Sequence, residues 1–175
     1  MPLIKSQLEA GECPADYAGY VDLVPDGDVL DLLDSQIYDT VAALQGAGEE
    51  GGTQRYAPDK WSVKEVVGHL IDVERVFAYR ALAFSRGDAG PFPGFEHDDY
   101  VRAAGFDGRS LADLMTEFQV VRRATSALFR SFTAGMWLAR GVANDVEITV
   151  RAIAFILAGH ERHHLRILRE RYLKG

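Results

Sequence analysis

Cysteine is nearly absent from this 175-residue chain: Cys13 is the single thiol, which closes no intramolecular disulfide. No charged start followed by a long apolar run and a small-residue cleavage site is visible at the N-terminus. Together these suggest a reducing, cytoplasmic setting. Long hydrophobic runs are missing too. Even RAIAFILAGHERHH is broken by histidines and charges before it nears the roughly 20 residues of a membrane span, so no membrane is expected as a partner. Basic charge is in deficit, with 19 Lys and Arg against 26 Asp and Glu and a net charge of −7. Such a surface repels a phosphate backbone, so nucleic acid is not expected as a partner either. The arginines near the C-terminus (Arg162, Arg166, Arg169, Arg171) are interleaved with Glu161 and Glu170 and read as a solvated helix face.

The chain is long enough for one well-filled core, and one domain over residues 1–175 is expected. Four segments have apolar residues at helical spacing. The first spans about Asp28 to Ala47, carries Leu30, Leu33, Ile37, Val41 and Leu44, and is expected to end in the flexible run GAGEEGG. The second opens at Ser62-Val63-Lys64-Glu65, where serine and glutamate can cap each other's backbone N–H groups, and continues to about Arg86. The third opens at Ser110-Leu111-Ala112-Asp113 and ends at the break around Gly135 and Gly141; the fourth runs from near Thr149 to about Leu173. The connection RGDAGPFPGFEHDDYVRAAGFDG is too long for a tight turn and suits a crossover at one end of a helical bundle. No strand is convincing, although Met136 to Val142 allows a short extended piece. Residues 1–27 have no clear period and are expected to pack on the bundle.

The fourth helix carries the chemistry. At about 100° per residue, Ile153, Leu157, His160, His164 and Leu168 share one sector, so two imidazoles sit on the core-facing stripe. Residues four apart are helix neighbours, close enough for two ring nitrogens to converge on one cation at about 2.0–2.1 Å. Alone, His-x-x-x-His is a modest signal. His69, at the flank of the Val66, Leu70, Val73, Phe77 sector, either adds a third ligand or is simply hydrogen-bonded to a neighbour. Several buried imidazoles without partners cost about 1–3 kcal/mol each, which a shared ion removes. Three nitrogens leave a coordination position free, as in catalytic sites.

Other candidates surround these. His163 lies at the edge of the stripe, about 60° from His160, and is read as exposed or as supporting a ligand. Glu74 falls inside the apolar sector of the second helix, where a lone charge is costly. It either orients a ligand histidine or serves as a base, or is buried against Arg122 or Arg123. The crossover group Glu96, His97, Asp98 and Asp99 is either solvated or, if the crossover folds over the site, positioned to supply further ligands or to meet a substrate. Cys13 has no nearby histidine to activate it.

The stretch KWSVKEVVGHLIDVERVFAYRALAF resembles the second helix of DinB-like proteins, and AGHERHHLRILRERY resembles their last. With the PGFEHDDYV loop and the long third helix between them, the resemblance spans most of the chain from about Tyr20. It implies an all-α, up-down-down-up four-helix bundle with a long crossover loop and a metal on one histidine of the second helix and two of the fourth, here His69, His160 and His164. It further implies one divalent ion, Zn or Ni first and Fe or Mn next, and a small-molecule thiol or electrophile as partner. A homodimer is expected on the same ground. The implied activity is a thiol S-transferase acting with a thiol such as bacillithiol; the alternatives are a metal-dependent hydrolase and a non-catalytic metal- or ligand-binding stress-response protein. No residue is assigned a catalytic role.

Overall fold

The computed structural model describes residues 2–173; Met1, Lys174 and Gly175 of the expected domain lie outside the described residues. In chain order the elements are α1 (Ala15–Asp22), α2 (Val29–Gly52), α3 (Val63–Ser85), α4 (His97–Ala104), α5 (Leu111–Arg130), α6 (Ala134–Trp137), β1 (Arg140–Ala143), β2 (Val146–Thr149) and α7 (Val150–Ile167). A π-helical turn, Leu168–Tyr172, closes the chain. The bundle is made of α2, α3, α5 and α7.

The directions of the four helices follow from named pairs. Gly52, at the end of α2, lies against both Lys64 and Leu111, so α3 and α5 start side by side. Eleven residues into each, Glu74 meets Arg122, which makes α3 and α5 parallel. Arg130 at the end of α5 pairs with Asp31 and Asp34 at the start of α2, so these two are antiparallel. The α7 start lies by the end of α3, with the hairpin residue Gly141 pressed on Phe84. This is the up-down-down-up order. Two consecutive helices that run parallel need a connection as long as the bundle, which is what the crossover between Ser85 and Leu111 supplies.

The capping chemistry is as the sequence indicates. The Glu65 N–H donates to Ser62 Oγ at 3.1 Å and the Ser62 N–H donates to Glu65 Oε2 at 2.8 Å. Thr149 caps α7, accepting from the Ala152 N–H at 3.0 Å.

Three expectations are corrected. The run GAGEEGG is largely helical: α2 continues to Gly52 through a kink at Gly48, whose φ of 63° suits glycine. Tertiary contacts impose this, since Glu49 pairs with Lys64 and accepts the Leu111 N–H at 2.9 Å. The crossover is not loop throughout, because it contains α4. The extended piece allowed over Met136 to Val142 is extended only from Arg140, since Met136 and Trp137 are helical in α6, and residues 140–149 form an antiparallel hairpin turning on Asn144 and Asp145, both at positive φ. Strands of four residues are too short to show a period-2 pattern.

The apolar core falls into two clusters, one around Leu33, Phe84, Phe129 and Phe155 and one around Leu44, Leu70, Phe118 and Leu168. Buried polar residues (Gln36, Glu74, Arg122, Glu161) occupy the helix positions between the two.

The N-terminal segment packs on the bundle through α1. A Cβ on Gly159 of α7 would lie 1.9 Å from the Tyr20 carbonyl oxygen. Glycine is what lets α1 approach. Alanine inside a helix normally gains about 1 kcal/mol over glycine. For Gly159→Ala the sign reverses, with an expected loss of about 1–3 kcal/mol in urea unfolding; an unchanged or raised midpoint would show that α1 does not press on this helix.

Candidate metal centre

Amphipathic periodicity turns His69 of α3 and His160 of α7 inward, where they are 5% and 6% exposed; His164 is half-buried. The three rings meet edge to face, with centroids 4.9 Å apart for His69 and His160, 4.9 Å for His69 and His164, and 4.6 Å for His160 and His164. His160 Nε2 lies 3.0 Å from His69 Nε2 and 3.1 Å from His164 Nε2. Three nitrogens placed about 2.0–2.1 Å from a common tetrahedral centre sit within a few tenths of an ångström of this spacing. Hydrogen bonding suits the arrangement less well, because a neutral imidazole nitrogen is a donor or an acceptor and His160 Nε2 faces two others. The cluster could therefore hold a metal ion, one ligand atom per residue.

The electrostatics agree. Burial holds His164 down to about 3 and His69 near 2, with neighbouring imidazoles adding to the effect. His160 is pushed well below its ordinary value, by burial first and then by His164 and His69. At neutral pH all three are uncharged, which is the protonation state a ligand needs.

The crossover contributes one further imidazole. His97, the first residue of α4, places its ring 5.0 Å from that of His69 and 4.5 Å from that of Phe95. His97 is itself exposed on its outer side; the rings against its inner side partly desolvate it and lower its pKa, opposed by Glu96 and Asp98. Glu96 and Asp99 are exposed. Asp98 is exposed as well, but accepts from Trp61 Nε1 at 3.0 Å and so pins the crossover to the start of α3. The Trp61 ring also lies against His69, centroids 4.7 Å apart. His163 is half-buried against Tyr20 of α1, with centroids 5.4 Å apart. The same tyrosine meets His160 at 5.3 Å, so α1 forms a wall of the site.

Glu74 does not orient a histidine. Arg122 Nε and NH2 donate to its two oxygens, each at 2.8 Å, and Arg122 NH1 donates to Glu161 Oε2 at 2.8 Å and to the Leu33 carbonyl at 2.9 Å. Glu161 also accepts from Thr40 Oγ1 at 2.7 Å and from Gln36 Nε2. This network joins all four bundle helices beneath the site.

Beside the histidines is a small cleft of about 80 Å³, open to solvent, walled by His160, His97, Arg80 and aromatic rings from α1, α3 and the crossover. Sequence reasoning passed over Arg80, Tyr17, Tyr20 and Asn144, and its placing of Glu161 on a solvated helix face is corrected: the side chain is 1% exposed and is held by Arg122 and Thr40. For Arg80 the signal was present: with Val73, Phe77 and Phe84 it falls on the inner face of α3. Glu161 likewise lies on the buried face of α7, four residues before Leu165. The α1 tyrosines and Asn144 come from segments with no period, and nothing local marks them.

Residues 32–168 match the family model of the DinB superfamily. Among solved structures, the chain is similar to YfiT from Bacillus subtilis, described as a probable metal-dependent hydrolase with an unusual four-helix bundle topology. The TM-score is 0.75 at 16% identity, over 81% of this chain and 82% of that one. At that identity the likeness is one of fold. No curated protein matches the chain.

Proposed function

Because the chain belongs to the DinB superfamily, we propose that it is a metal-dependent enzyme whose divalent ion is held by His69, His160 and His164, and that it transfers a low-molecular-weight thiol of the bacillithiol kind to an electrophile. The observation that carries this reading is the convergence of three neutral ring nitrogens within 4.8 Å beside a cleft. A divalent ion on three nitrogens keeps a position free and lowers the pKa of a thiol or water that binds it, making either a nucleophile at neutral pH. Zn and Ni are the ions proposed, with Fe and Mn next, since imidazole suits several of them. A homodimer is proposed alongside.

The residues around the cleft favour thiol over water. Neither buried carboxylate, Glu74 or Glu161, is free to act as a strong base, because Arg122 holds both. A thiol ionises near pH 8.5 and needs little help, whereas water near 15.7 needs much more. His97 is the group placed to accept a proton, being neutral at pH 7 and next to His69. That placement is also what supports the second reading, hydrolysis, in which His97 takes the proton of the attacking water.

The test begins with elemental analysis of untagged protein purified without chelator. About one ion per chain is expected in the wild type, with affinity falling at least about tenfold in His160→Ala and His164→Ala. Chelator-sensitive conjugation of 1-chloro-2,4-dinitrobenzene with bacillithiol is expected next. Turnover of ester or amide substrates without thiol would shift the reading to hydrolysis, and bound metal without turnover of either kind would leave a non-catalytic metal-binding stress protein.

A further inference from the structure

We propose that Arg80 anchors a carboxylate in the cleft beside the three histidines, so that the ligand is a small organic monoanion with its carboxylate at the Arg80 end and its reacting atom at the His160 end. Only the second half of that orientation rests on the metal-enzyme reading.

Arg80 is 4% exposed, and among the described residues it takes part in no ion pair. The other buried basic side chains are matched: Arg122 with Glu74 and Glu161, and Lys64 with Glu49. A guanidinium has five N–H donors. Here one nitrogen donates to the Pro93 carbonyl at 2.8 Å, and the Tyr17 hydroxyl is the other oxygen beside the group. Its flat face lies over Phe77, 5.1 Å from the ring centroid. Burial pulls its pKa down from the ordinary value, as for a cation kept from water without a counter-charge. Such burial costs free energy that an incoming anion returns.

The group belongs to the cleft. Arg80 and His160 are both in its wall, and Asn144, at the hairpin tip with its side chain tight against Gly94, closes that side. Helical side chains lean toward the N-terminus, so from Arg80 the guanidinium points back along α3 toward His69. It acts electrostatically on His97, whose ring is 5.0 Å from that of His69.

Charge selects the anion. One guanidinium balances a carboxylate and matches its planar geometry in a two-bond fork. A phosphate dianion would bring a second charge between the rings of Tyr17, Phe77 and Phe95, near the acidic Glu96 and Asp98. Aromatic walls suit a ligand with a flat or apolar body.

Binding of benzoate to the full-length protein by calorimetry tests this, with benzamide as the neutral match and phenyl phosphate as the dianion. Benzoate is expected to bind saturably, at least about tenfold more tightly than either. Arg80→Gln is expected to lose the preference and Arg80→Lys to keep part of it, with metal content unchanged in both. Benzoate binding is expected to survive in chelator-treated protein and in His164→Ala, which separates this proposal from the metal reading. Equal binding of benzamide, stronger binding of phenyl phosphate, no saturable benzoate binding, or its loss with the metal would overturn the proposal. If Arg80→Gln fails to fold, the three ligands on the wild type and on Arg80→Lys still decide.

Discussion

Replacing Arg122 with methionine is expected to lower stability by about 3–5 kcal/mol at pH 7 in urea unfolding. Methionine fills much of the volume but leaves Glu74 and Glu161, each 1% exposed, buried without a cation. Wild-type Arg122 gives Glu74 two hydrogen bonds and Glu161 one, and each charge-assisted bond is worth more than a neutral one. Replacing Glu74, Arg122 and Glu161 together with apolar residues of similar size should cost less than Arg122→Met alone, because no orphaned charge remains. A loss below about 1 kcal/mol for Arg122→Met would mean that the carboxylates find other partners or water.

The second large effect is acid instability of the metal-free protein. Folding holds His69, His160 and His164 neutral, chiefly by burial, whereas in the unfolded chain each titrates near 6.5. Below that value the unfolded chain binds more protons, so stability is complete above about pH 6.5 and is lost as pH falls toward the folded values near 3 and below. At pH 5 each histidine accounts for about 2 kcal/mol. Three of them approach the whole stability of an ordinary domain, about 5–15 kcal/mol. Urea midpoints measured in chelator from pH 8 to pH 5 should fall steeply. Loading with Zn or Ni should move the loss to lower pH, because ion and protons compete for the same nitrogens. A flat profile in chelator would show that the three rings are not held neutral together.

Both effects arise from polar groups placed at the level where the apolar core divides, and they were unequally visible beforehand. The His160 and His164 pair stands out because both lie on an apolar stripe at helical spacing. His69 was ambiguous, since a flank position is compatible with a ligand or with an ordinary hydrogen bond, and only the approach of α7 brings its Nε2 within 3.0 Å of another. Glu74 was recognisable as a misplaced charge. That Arg122 rather than a histidine answers it depends on the equal register of α3 and α5, which no local pattern encodes.

The sequence by itself determined the elements whose causes are local. Periodicity and reciprocal capping specify four long amphipathic helices, the long crossover lets two consecutive ones run parallel, and one stripe places two histidines inward. Only the tertiary structure decided what depends on segments distant in the chain meeting. It carried α2 through the glycine-rich run to Gly52, built the hairpin, laid α1 against Gly159, brought His97 to His69, and left Arg80 buried without an acid. Hydrophobic pattern states which face is buried, but the partner of a buried polar group is set by helix register and crossing, and these are properties of the assembled bundle.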